Sequence, residues 1–190
     1  MRLFAAVLPP GSAIAELADE VAQLKALPGA DRLRWTGHDG WHFTLAFYGE
    51  VPDDVLPELQ ERLARAAGRQ KPYELRIAGG GRFDERVVWA GGEGELAVMG
   101  KLADSAEAAG RRAGVTADAH RTYRPYHPHL TLARNRSDQH LAPFAAGMDA
   151  FKGTPWTVRE LALMRSHPPQ PGIAGRQPHY EKLASWPLGH

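Results

Sequence analysis

Two tetrapeptides carry the residues best suited to chemistry. His42-Phe43-Thr44-Leu45 and His129-Leu130-Thr131-Leu132 share the pattern His-x-Thr-Leu and stand nearly half the chain apart. In a chain of 190 residues with 9 His, template counting gives roughly 0.03 chance occurrences of that pattern. One strand histidine beside a β-branched residue is ordinarily explained by strand propensity. Two copies argue instead for an internal duplication, one per half. Side chains alternate across a strand, so His42 and Thr44 share one face while Phe43 and Leu45 share the other. The same holds for His129 and Thr131 against Leu130 and Leu132. The apolar pairs anchor each strand; the polar pairs project into whatever lies between the halves.

Two imidazoles facing one substrate suit in-line displacement at phosphorus. A neutral imidazole takes the proton of the attacking oxygen while a protonated one gives a proton to the leaving oxygen. An ordinary pKa of ~6.5 lets histidine hold either role near neutral pH. The threonine hydroxyls donate to non-bridging phosphate oxygens, where negative charge accumulates. This chemistry requires neither a metal nor a covalent intermediate, so no cofactor is expected.

Elements able to hold these residues are legible along the chain. Leu3 to Leu8 reads as a buried strand stopped by Pro9-Pro10. A helix follows, with Ser12 as its cap and Ile14, Leu17, Val21 and Leu24 at helical spacing, closed by Pro28-Gly29. Strands are expected at Leu33 to Trp35 and Trp41 to Tyr48. A second helix starts near Asp53 and Asp54. Tyr73 to Ile77 and Arg86 to Ala90 read as a hairpin spanning Gly79-Gly80-Gly81, and a third helix runs from about Glu95 to Ala109. Beyond a basic stretch, a strand at His129 to Ala133 precedes a short helix at Leu141 to Ala146. Strands at Trp156 to Met164 and His179 to Leu183 follow, with a loop from Ser166 to Gly172 between them. Short connections and hairpin signals favour α+β with antiparallel pairing over a doubly wound parallel sheet.

Composition removes several function classes. The chain holds 23 Lys plus Arg against 22 Asp plus Glu, and no Cys. It therefore lacks the bulk basic charge that wraps long nucleic acid, and disulfides, thiolate metal sites and a cysteine nucleophile are excluded. The first apolar run is too short for a signal peptide and no segment approaches a membrane span, so a cytoplasmic protein is expected. His127 and His129 have a strand spacing for metal ligands, with Asp118, His120 or Glu50 as a third, but nothing fixes those at a metal spacing. Arg111, Arg112, His120, Arg121, Arg124, Arg134 and Arg136, interleaved with Tyr123 and Tyr126, suit a basic rim for RNA phosphates or simply a solvated loop. Gly79-Gly80-Gly81 and Gly91-Gly92-Glu93-Gly94 lack the residues of a phosphate loop and read as turns. Ser105 and Ser166 have no nucleophile-elbow context. His38, His140, His167, His179 and His190 read as loop or terminal residues without a partner.

The chain resembles the 2H phosphoesterase superfamily, and within it the bacterial RNA 2′,3′-cyclic phosphodiesterases, also called 2′-5′ RNA ligases. The resemblance runs through Arg2-Leu3-Phe4-Ala5-Ala6, Trp41 to Gly49, His127 to Arg134, and Tyr180-Glu181-Lys182-Leu183 before Trp186-Pro187-Leu188. It implies one bilobal domain over residues 1–190 with a motif in each of two pseudo-symmetric lobes. Antiparallel sheets would face a central cleft, with helices outside. It implies hydrolysis of an RNA 2′,3′-cyclic phosphate end to a 2′-phosphate, reversible 2′-5′ ligation in some members, and RNA as the partner, with no membrane or obligate protein partner. By analogy His129 is the base and His42 the acid, Thr44 and Thr131 bind phosphate, Arg134 contacts substrate and Phe47 stacks a terminal base. Strict alternation puts Phe47 and Arg134 on the wrong face unless the strand bulges or twists near Ala46 and Ala133. The alternatives are another cyclic phosphate as substrate, or a non-catalytic binder of RNA ends.

Overall fold

In a computed structural model, described for residues 1–115, 125–169, 171 and 177–189, the chain builds an α+β fold from two antiparallel sheets. The first sheet orders its strands β3 (Phe43–Glu50), β1 (Arg2–Val7), β8 (Glu160–His167) and β9 (His179–Pro187). The second orders β2 (Leu33–Trp35), β6 (His129–Asn135), β5 (Val87–Gly94), β4 (Tyr73–Phe83) and β7 (Trp156–Val158). Helices α2 (Leu56–Gly68) and α3 (Leu96–Arg112) pack on the first sheet, while α1 (Gly11–Leu24) and α4 (Ala142–Gly147) pack on the second. One His-x-Thr-Leu segment meets each sheet, at β3 and at β6.

The unbroken apolar run of β1 follows from its central place. Leu3, Ala5 and Val7 join the main core, and Phe4 and Ala6 face the other way with Ala162 and Met164. Both faces are covered, so no alternation is required. Strand β3 is fixed from behind by Tyr48, whose hydroxyl donates to the Ala106 carbonyl of α3 at 2.7 Å. In α1, Leu17, Val21 and Leu24 are buried as the helical spacing requires, and Ile14 packs against them half-buried.

Several expectations need correction. Ser12 caps nothing: α1 already begins at Gly11 behind the extended Pro10, with no side-chain cap. The second helix opens at Leu56, with Asp53 and Asp54 in the preceding turn. The glycine clusters are not turns. Gly79-Gly80-Gly81 lies inside β4 and Gly91 to Gly94 inside β5, and the reversal falls at Asp84 to Arg86. Glycine is needed at position 80 because a Cβ would stand 2.5 Å from the Trp89 carbonyl oxygen and 2.6 Å from Met148 Cβ. The single strand expected from Trp156 to Met164 divides at Arg159 into β7 and β8, which belong to different sheets. Two charged residues, Arg159 and Glu160, mark that crossing. Ser166 and His167 close β8 rather than opening a loop.

Candidate active site

A cleft of about 540 Å³ opens between the sheets, and His42, Thr44, His129 and Thr131 all line it. Phe47 and Arg134 line it as well, through a backbone device repeated in both halves. In the β1–β3 pairing, Ala5 faces Ala46 and Ala6 faces Thr44, which leaves Leu45 as an extra residue. In the β5–β6 pairing, Val88 faces Ala133 and Trp89 faces Thr131, which leaves Leu132 extra. Each motif leucine is thus the inserted residue of a β-bulge. Two consecutive side chains then turn inward, Leu45 with Ala46 and Leu132 with Ala133. The residue three beyond each threonine therefore returns to the cleft, Phe47 in one strand and Arg134 in the other. Phe47 is 39% exposed, with the Arg2 guanidinium 5.2 Å from its ring centre.

The two imidazoles occupy unlike surroundings. His42 lies immediately before β3, flanked by Phe4 at 4.7 Å and edge-on to Tyr180 at 5.0 Å. Its Nδ1 is buried without a hydrogen-bond partner among the described residues, and its other edge reaches the cleft. Burial pulls its pKa down to about 4, partly offset by the backbone and carboxylate of Asp39. His129 is half-buried, and its Nδ1 lies 3.0 Å from the His127 carbonyl oxygen. A carbonyl only accepts, so Nδ1 carries the hydrogen and the neutral ring keeps its lone pair on Nε2. Burial also lowers the His129 pKa, opposed by that same backbone bond.

Other cleft residues come from strands adjoining the motifs. Arg34 on β2 lies opposite Arg134 on β6, and both line the cleft with Arg2 and Arg136. Tyr180 closes one wall. Burial raises its hydroxyl pKa, which nearby Arg134 and Arg2 lower and Asp39 raises further. The two halves are tied by Tyr126, whose hydroxyl donates to the Thr44 carbonyl at 2.9 Å. Gln177 clamps the segment before His42, accepting from the Gly37 N–H at 3.2 Å and donating to the Trp35 carbonyl. Sequence reasoning missed Arg2, Phe4, Arg34, Thr36 and Gln177 as cleft residues. Arg2, Phe4 and Tyr180 fall within the segments that carried the resemblance, which was the available signal.

The basic rim is only partly at the cleft. Arg111 and Arg112 instead line a separate groove of about 450 Å³ between α2 and α3, with Arg62, Arg65 and Arg69. His120, Arg121, Tyr123 and Arg124 lie outside the described residues, as do Asp118 and His190. The His127 and His129 ring centres lie 6.2 Å apart, and His127 packs edge-on against Trp89 at 4.9 Å. Among the described residues no group of three His, Cys, Asp or Glu side chains is placed to hold a metal ion. His167 and His179 are not isolated, since they stack at 5.6 Å and His167 Nε2 meets the Glu181 carboxylate at 2.9 Å. His38 likewise stacks on Trp41 at 4.5 Å.

Residues 10–169 match the model of the 2′-5′ RNA ligase superfamily. The chain belongs to that superfamily. Several relatives carry the name RNA 2′,3′-cyclic phosphodiesterase. The protein from Thermus thermophilus is 34% identical over 177 residues, covering 87% of this chain and 82% of its own. That from Geobacillus stearothermophilus is 32% identical over 163 residues, covering 81% of this chain but 47% of its own, so the chain spans about half that relative's length. Among solved structures, Escherichia coli LigT complexed with 3′-AMP superposes with a TM-score of 0.74 at 26% identity, covering 100% of this chain and 98% of LigT. Superfamily membership and the two-sheet architecture agree. Among the described residues no helix is long and apolar enough to cross a membrane.

Proposed function

We propose that this protein is a cyclic phosphodiesterase that opens RNA 2′,3′-cyclic phosphate ends to 2′-phosphate ends in the cytoplasm, working as one bilobal unit. The observation that carries this reading is the arrival of His42 with Thr44, and of His129 with Thr131, in one cleft from different sheets. The names of the superfamily relatives and the nucleotide bound by LigT support the substrate class.

In the proposed step, a water oxygen attacks phosphorus and its proton passes to His129 Nε2, the nitrogen left bare by the bond to the His127 carbonyl. The P–O3′ bond breaks in line, and the departing O3′ takes a proton from His42. The sum is addition of water across P–O3′. Thr44, Thr131 and Arg134 hold the non-bridging oxygens, and Phe47 stacks the base. His42 is neutral near pH 7 in the free protein because of its burial. A bound phosphate anion beside it favours the charged ring and restores the proton needed by an acid. If the attacking oxygen is an RNA 5′-hydroxyl, the same step makes a 2′-5′ linkage.

Product analysis with a cyclic-phosphate dinucleotide tests this. A 2′-phosphate as the product supports the assignment. A 3′-phosphate contradicts the bond broken, and no turnover together with tight binding would make the protein a binder of RNA ends.

A further inference from the structure

Sheet order leaves one flank of His129 unaccounted for. The cleft covers β6 and β2, whereas β5 and β4 continue on the other side of β6. There Trp89 lies opposite Thr131 and so shares its face. Its indole lies flat over Gly81, where a Cβ would come within 2.5 Å of the ring. Phe83 stacks on that indole, with ring centres 5.3 Å apart and planes 29° from parallel. The Phe83 ring is 41% exposed, and it meets His129 edge-on at 5.0 Å. Solvated aromatic carbon thus lies one ring-width from the imidazole, backed by a second aromatic ring.

We propose that Phe83, supported by Trp89, is a stacking platform for the base of the nucleoside whose 5′-oxygen attacks, or leaves, on the His129 side. This rests on the proposed function. In-line displacement puts the entering oxygen beside His129 and the departing one beside His42, on opposite sides of phosphorus. A strand that presents its 5′-hydroxyl to His129 therefore lays its first base toward β5 and β4, away from Phe47. Water needs no such platform. Phe83 accordingly governs 2′-5′ joining and its reversal more than hydrolysis of the cyclic end. In joining, the 5′-oxygen bonds to phosphorus as P–O3′ breaks, its proton goes to His129 and O3′ takes one from His42; cleavage of the 2′-5′ linkage reverses each transfer.

The test compares Phe83→Leu, which keeps an apolar contact with His129 but loses the π face, with Phe83→Trp, which restores it. Binding of a 2′-5′-linked dinucleotide and of 3′-AMP is measured in a His42→Ala background, so turnover does not intervene. Stacking one base is strong enough that Phe83→Leu should weaken the dinucleotide about tenfold more than 3′-AMP, with recovery in Phe83→Trp. Equal effects on both ligands, or no effect on either, would overturn the platform. A His42→Ala protein that turns over cyclic phosphate at the wild-type rate contradicts the two-histidine reading instead, so the two failures are distinguishable.

Discussion

The two motif-bearing strands share the His-x-Thr-Leu pattern and the same bulge, yet they place their histidines in different surroundings. On the first sheet His42 is boxed between Phe4 and Tyr180, with its Nδ1 sealed from solvent. On the second, His129 faces the cleft more openly, with Nδ1 committed to a backbone carbonyl. The shared part is the strand, which sets where each imidazole arrives. The walls differ: β1 and β9 supply large rings around His42, and β5 and β4 set Trp89 and Phe83 beside His129. Geometry is shared; protonation is tuned by neighbours.

The sharpest way to break this comparison is to remove each ring. His42→Ala and His129→Ala are each expected to lower turnover of a cyclic-phosphate substrate by ~10²–10⁴-fold, the usual worth of a positioned acid or base. The double variant should be little worse than the poorer single one, because groups acting in one step are not additive. Steady-state kinetics with circular dichroism as a fold control checks both. Next in size are the hydroxyls. Thr44→Val and Thr131→Val keep the β-branched shape and remove one proposed donor to the phosphate each, with an expected loss of ~10²–10³-fold in kcat. Similar losses at both would support the symmetry; no loss at either would contradict the assignment of the hydroxyls to the phosphate.

The smallest expected effect concerns stability and is read at His42, with His129, also lowered by burial, adding in the same direction. The His42 pKa is about 4 in the folded protein against 6.5 ordinarily. The unfolded chain therefore takes up a proton as pH falls through 6.5, whereas the folded chain does not until about 4. Acidification across that window favours unfolding, by on the order of 3 kcal/mol. Denaturant titrations at a series of pH values should show this slope in the wild type and a shallower one in His42→Gln. Equal slopes would mean that His42 is not held neutral.

Much of this was legible in the amino-acid sequence, and the exceptions are physical. The motif residues were readable because type, spacing and repetition act together. The bulges were not, since a leucine inserted into a strand looks like any other leucine; only the position of Phe47 and Arg134 demanded one. The split at Arg159 was hidden because β7 and β8 are both apolar and adjacent, and strand propensity does not say which sheet a residue joins. Gly79-Gly80-Gly81 misled because glycine marks close approach as well as reversal. Here it makes room for Trp89 and Met148. The walls of the site, Gln177 and Arg34 among them, come from distant segments that no local pattern connects.

The pH dependence of kcat/KM and kcat, measured for the wild type, His42→Ala and His129→Ala, tests most directly whether two imidazoles from separate sheets divide one reaction. The account predicts a bell-shaped wild-type curve that loses its acidic limb in His129→Ala and its alkaline limb in His42→Ala. It further predicts an alkaline limb at higher pH in kcat than in kcat/KM, as bound phosphate restores the His42 proton. Survival of both limbs in either variant would contradict it.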